Sequence, residues 1–235
     1  MKAIYSLGRR IASFDFYAFS LIVKARGYDE IVFDISKWKV SKWDKDTVKE
    51  RFESIILPGP KLLGMKHSFG KEGDFVIHTD ASELVDFIRN GNEFERIKSI
   101  LPPGTDKYTV TLRKTSRAPS RNSNEEAWRT FASEIGAKVI EEYDKEKIHL
   151  YDRLALYAGA AMNFFVTNGP AYFCTLTPYP CMIFACNKDV ENINRVGVEC
   201  GSDSPWFAPN HHNIWESDEL DVMRKYFKRW KENGL

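Results

Sequence analysis

Two rhythms of apolar and polar residues alternate along this chain. Short apolar or every-second-residue runs mark strands, and apolar residues at helical spacing mark amphipathic helices. Lys2–Ser6 reads as a first strand, stopped by Gly8. "SFDFYAFSLIVKARG", residues 13–27, reads as a helix closed by Gly27, a glycine just past a helix end. "EIVFDI" is a second strand; "DKDTVKERFESIIL" is a helix with acids in its first turn, where the helix dipole favours them. "DFVIHT" is a strand and "ASELVDFIRNG" a helix ending on Asn90-Gly91.

"LPPGTD", residues 101–106, interrupts this alternation, because two prolines and a glycine break regular structure. Then it restarts. "KYTVTLR" alternates as a strand. "SNEEAWRTFASEIG" is a helix with Ser123 and Glu126 at capping-box spacing and Gly136 at its end. "KVIEEY", "MNFFVTN" and "PCMIFA" are strands, separated by the helices "HLYDRLALYAGA" and "GPAYFCTLT". "ESDELDVMRKYFKRWKEN" closes the chain as an amphipathic helix.

Strands alternating with helices predict α/β architecture with mostly parallel sheets. The continuous apolar strands "MNFFV" and "CMIFA" fit the doubly covered centre of such a sheet. The expected fold is two Rossmann-like halves, residues 1–103 and 104–235, with a cleft between them. A single continuous sheet is the alternative. Ligands of open parallel sheets bind at the carboxyl ends of the strands, so the loops there hold the chemistry.

Composition narrows the function classes. With 34 basic and 33 acidic residues the net charge is +1, which gives no global pull toward nucleic acid or anionic membrane. No apolar run reaches the ~20 residues of a membrane span, and the start lacks a signal-peptide pattern. Cys174, Cys181, Cys186 and Cys200 show no CxxC spacing, and three lie in apolar segments. They read as free thiols of a reducing compartment, and the expected location is the cytoplasm.

Familiar motifs are absent. There is no GxGxxG, GxSxG or HExxH. "GMKHSFGK" has one residue too many between its glycines for a phosphate loop, and Glu72 follows its lysine. The acids of "DKD", Asp44 and Asp46, open a helix and do not follow an apolar strand, so no metal is expected. His211 and His212 read as a polar loop pair without further ligands at metal spacing.

Polar residues converge in two strand-end loops of the second half. "TLRKTSRAPSRNSNEE" carries Arg113, Lys114, Arg117, Arg121 and Asn122. Arginine offers phosphate a planar two-pronged donor. For the three later cations a solvated basic loop is the competing reading, whereas Arg113 ends a strand and has its direction set by the sheet. The second loop is "TNGP". Gly169 permits a close backbone approach or a positive φ, and Pro170 suits a first helical turn. Asn168, Gly169 and Pro170 therefore form either simple helix punctuation or an anion cradle.

The stretches "YTVTLRKTSRAPSRNSNEEAW" and "DRLALYAGAAMNFFVTNGPAYFCTLTPYPCMIFA" resemble the donor-binding domain of GT-B glycosyltransferases, in particular the metal-independent heptosyltransferase-like and fucosyltransferase-like groups. In the first half, "SFDFYAFSLIVKARG" and "SIILPGPKLL" are similar to bacterial glycosyltransferase-like proteins. The resemblance implies a nucleotide-diphosphate sugar as donor and a glycan or lipid-linked acceptor, with no cofactor. It implies that Arg113 approaches the diphosphate and that Asn168-Gly169-Pro170 opens a helix beside the donor. The halves are short for this fold, so a reduced version is expected. Asp15, past the first strand, is the candidate base for the acceptor hydroxyl, and an ordinary first-turn acid is its alternative. Glu216 and Asp218 either hydrogen-bond the nucleotide ribose or start the last helix with acids, the helix start being the favoured reading for Asp218. Trp206, Phe207 and Trp215 either stack on a base or fill the core. A non-catalytic nucleotide-sugar or anion-binding module is the rival function, and a hydrolase or epimerase on the same donor a third.

Overall fold

The computed structural model describes residues 1–7, 15–36, 49–76, 84–90, 92–101, 107–116, 118–143, 149–195, 199–204 and 207–234. Two parallel sheets carry the α/β fold. The first contains β1 (Lys2–Ser6), β2 (Glu30–Asp34), β3 (Lys66–Phe69) and β4 (Asp74–Phe75), in the order β3-β2-β1-β4. The second contains β5 (Tyr108–Lys114), β6 (Lys138–Tyr143), β7 (Met162–Val166), β8 (Cys181–Phe184) and β9 (His211–Asn213), in the order β6-β5-β7-β8-β9. Every pairing among these strands is parallel. This is a Rossmann-like arrangement in each sheet.

The helices are α1 (Asp15–Ala25), α2 (Pro58–Leu62), α3 (Val85–Asn90), α4 (Asn92–Ile100), α5 (Glu125–Ile135), α6 (Leu150–Gly159), α7 (Gly169–Thr175), α8 (Val190–Arg195) and α9 (Leu220–Asn233). A π-helical turn, Phe52–Ile56, precedes α2. Gly59 lets α2 approach α1 closely, since a Cβ there would stand 2.7 Å from the Phe16 ring.

Alternation in β5 sorts its side chains. Tyr108, Val110 and Leu112 enter a core with Trp128 and Phe131 of α5 and Met223 of α9. The opposite face of the second sheet meets α6 and α7, whose apolar residues share one core with the first sheet and α1. Tyr17 of α1 meets Phe173 of α7 edge to face. Tyr151 of α6 donates to Pro58 O at 3.4 Å, and Tyr179 donates to Phe94 O at 3.5 Å. The second sheet is thus covered on both faces, which explains why β7 and β8 are apolar at every position except Asn163.

Several local expectations need correction. The α5 cap is Asn124, whose Oδ1 accepts from Ala127 N; the Ser123 hydroxyl instead accepts from Arg113 N at 2.9 Å. "KHSF" within the rejected phosphate-loop candidate is strand β3, and residues 92–100 form the unanticipated α4. His211 and His212 lie in strand β9, and His211 is buried. Gly8, the "DKD" run, "IHT", residues 102–106, Arg117 and Trp206 lie outside the described residues.

Candidate functional site

The strand order of the second sheet changes direction between β5 and β7. β6 lies to one side of β5, whereas β7, β8 and β9 follow on the other. Crossover helices diverge at such a point and leave a crevice at the strands' carboxyl ends. The two loops singled out in the sequence follow β5 and β7, the two strands on either side of this point.

Beneath it runs a buried polar ladder. Thr109 Oγ1 donates to Asn163 Oδ1 at 2.6 Å, and Asn163 Nδ2 donates to Tyr157 O and Pro180 O. Thr111 Oγ1 lies 3.2 Å from Tyr157 OH, which accepts from Arg153 Nη1 at 3.0 Å. Arg153 is 2% exposed.

Arg113 continues this face to the strand end and is a buried residue, 8% exposed. Nη1 donates to Ala118 O at 3.0 Å and to Asn122 Oδ1. Asn122 in turn clasps Thr115 through both N–H and C=O. Arg113 therefore shapes the loop after β5 from within. Lys114 points to Glu125 of α5, at 2.9 Å on the exposed surface.

Arg121 crosses from that loop to the next two strand ends. Nη2 donates to Thr167 O at 3.2 Å and pairs with Asp189 Oδ2 at 2.5 Å. Its Nε is buried and makes no hydrogen bond. Thr167 is followed by Asn168, the cap of α7, whose Oδ1 accepts from Ala171 N at 2.7 Å. Asn168 Nδ2 is a second buried donor without a partner. Gly169 is exposed and is the first helical residue, and Pro170 is buried behind it. Gly169 is not among the glycines with positive φ, so its left-handed option is unused.

Glu216 is exposed and accepts from Lys225 and Tyr226 of α9; the Lys225 bond, first, and the Tyr226 hydroxyl hold its carboxyl below the usual range. Asp218 precedes α9 and is 2% exposed. Its carboxylate accepts from Asn124 N, Trp128 Nε1 and Lys188 Nζ, so it ties three elements together and does not merely begin a helix. Burial pushes this carboxyl up, but those three bonds outweigh it and lower its pKa. Phe207 is core, and Trp215 packs against that core while donating to Ser202 O. Asp15 is the first residue of α1; its side chain lies outside the described residues. Cys174, Cys181 and Cys186 are buried free thiols and Cys200 is exposed.

His211 is fixed in one tautomer. Ala208 N–H donates to Nδ1, so the proton sits on Nε2, which donates to Tyr179 O at 2.8 Å. Burial lowers its pKa from 6.5 to about 4. Among the described residues no group of three or more His, Cys, Asp or Glu side chains is arranged to hold a metal ion, and no helix is long and apolar enough to cross a membrane.

Sequence reasoning missed Asp189 and the polar ladder. Their signals were present: Thr109, Thr111 and Arg113 recur at the strand period, and Asp189 follows the apolar strand β8. Taken together, the loops after β5 and β7 bring Arg121 and Asn168, each with a buried donor that makes no hydrogen bond, to this end of the sheet, with the Asp189 carboxylate paired to Arg121. No protein-family model matches the chain, and no curated protein is significantly similar to it.

Proposed function

We propose that the crevice at the carboxyl ends of β5 and β7 binds the diphosphate of a nucleotide-diphosphate sugar, and that the protein is a glycosyltransferase-like enzyme that needs no metal for this step. One observation carries the reading. Arg121 Nε and Asn168 Nδ2 are buried, unbonded donors at neighbouring strand ends. A buried donor left unpaired costs about 1–3 kcal/mol, and the oxygens of a diphosphate are acceptors for such donors. The switch-point position and the resemblance of the two loops to a GT-B donor domain support the same ligand.

In this reading Arg121 and Asn168 contact the diphosphate, while Arg113 holds the loop that carries Arg121. Their charge and N–H groups offset the charge that grows on the departing nucleotide diphosphate. α1, which Asp15 opens, packs on α7, which Gly169 opens, through Tyr17 and Phe173. The resemblance offers Asp15, the first residue of α1, as the base that takes the proton of the acceptor hydroxyl. Calorimetric titration with nucleoside diphosphates in the presence of a chelator tests the binding step. Affinity for a diphosphate and none for its nucleoside is expected. Binding that vanishes with chelator and returns with magnesium would contradict the metal-free reading.

A further inference from the structure

We propose that Asp189 is a positioning residue for this site: it holds Arg121 so that Nε is presented to the diphosphate. The proposal rests on the diphosphate reading above and adds the device that orients the arginine.

Two facts support it. First, Asp189 is itself buried, its side chain 5% exposed, and both its carboxylate and Thr167 O engage the same nitrogen of Arg121, Nη2. The guanidinium is thereby fixed at one corner while Nε stays unbonded. A planar fork held this way loses little freedom when an anion arrives. Second, the backbone on both sides of the pair is strained in the same manner. Among the described residues only Ala118, at φ 52°, and Ala185, at φ 55°, have positive φ without being glycine. Each stands directly before a 3-10 turn: Pro119–Arg121, which ends on Arg121, and Cys186–Asp189, which ends on Asp189. Left-handed backbone at a residue with a Cβ persists only where the surroundings enforce it, and such strain gathers at functional sites. Ala185 is held by its N–H to Glu216 O, and Ala118 by its carbonyl to Arg113. Two strained turns thus deliver the two members of one ion pair. Stability alone does not account for the arrangement, since a buried ion pair barely repays its own desolvation.

The test compares Asp189→Ala and Asp189→Asn by calorimetry, with UDP, GDP, ADP and CDP and the matching nucleosides as probes. The amide oxygen of Asn still accepts from Nη2, whereas Ala leaves the guanidinium unanchored. The expected result is a loss of about tenfold or more in diphosphate affinity for Asp189→Ala, little change for Asp189→Asn, and no change for nucleosides. Equal affinity of Asp189→Ala and wild type overturns the proposal, and so does tighter binding by both variants, which would make Asp189 a competitor of the ligand. Wild type that binds no diphosphate overturns the ligand reading and the proposal with it, an outcome distinct from the other two. A second measurement needs no variant at Asp189 to fold. In 15N-labelled wild type, the Arg121 Nε–H signal, assigned by its loss in Arg121→Lys, should be sharp and slowly exchanging without ligand and should shift with diphosphate. A signal averaged by fast exchange, or one unmoved by saturating diphosphate, overturns the proposal.

Discussion

The rings of Tyr17 and Phe173 meet edge to face at 4.4 Å, one from α1 beside the first sheet and one from α7 beside the second. The Tyr17 hydroxyl is buried in this contact without a hydrogen-bond partner, and burial, with Tyr179 and Glu93 nearby, raises its pKa well above the usual phenol value. Tyr17→Phe keeps the ring and deletes the unsatisfied oxygen. The variant should be more stable by about 1 kcal/mol, or roughly 2–4 °C in melting temperature. A lower melting temperature would show that the hydroxyl has a partner in solution.

Asn168 separates capping from ligand binding. Its Oδ1 caps α7, and its Nδ2 is the unbonded donor. Asn168→Asp keeps the cap acceptor, since Asp and Asn cap about equally well, and replaces the donor by a negative charge. Melting temperature should stay nearly constant while diphosphate affinity falls by about tenfold or more. Unchanged affinity would return the turn to its simpler role as helix punctuation.

The left-handed alanines give a prediction with two signs. Ala118→Gly and Ala185→Gly each relieve a strain of about 1–2 kcal/mol and each lose roughly 0.5–1 kcal/mol to added chain entropy. Each should therefore stabilise the protein by up to about 1.5 kcal/mol in urea unfolding. If the strained turns hold Arg121 and Asp189 in register, diphosphate affinity should fall in the same variants. A gain in both stability and affinity would separate the strain from the site.

How much of this was legible in the sequence differs by element. The alternation that defines β5, β7, β8, α5 and α9 was visible because each has a long or strongly periodic apolar face. β3 and β9 were hidden: "KHSF" and "HHN" are polar strands at sheet edges, whose pairing comes from the neighbouring strand and not from their own pattern. The site was legible as two loops. The division of labour within them was not, because it depends on contacts distant in sequence. Arg113 is turned inward onto Asn122 and Ala118, and Arg121 takes the crossing role by reaching Thr167, 46 positions away, and Asp189. Asp218 read as a helix-start acid because Trp128 and Asn124, its partners, lie about 90 residues earlier.

His211 makes stability depend on pH. Its folded pKa of about 4 lies below the ordinary 6.5, so between these values the unfolded chain binds a proton that the folded chain refuses. The contribution is fully present above about pH 6.5 and is lost as pH falls toward about 4, up to about 3 kcal/mol in all. His211→Gln retains a donor for Tyr179 O and does not titrate. The loss of stability between pH 7 and 4 should be smaller in this variant than in wild type; equal losses would place the titration elsewhere.

Diphosphate binding by Arg121 is open to a direct test. Arg121→Lys keeps a cation for Asp189 and removes Nε–H, the donor that the structure leaves unused. Calorimetric titration of wild type and Arg121→Lys with the nucleoside diphosphate that binds wild type best, and with its nucleoside, is the deciding measurement. The expected result is diphosphate binding by wild type, a loss of about tenfold to hundredfold in Arg121→Lys, and no nucleoside difference. Equal diphosphate affinity in the two folded proteins, or no affinity in wild type for any nucleoside diphosphate, would contradict it.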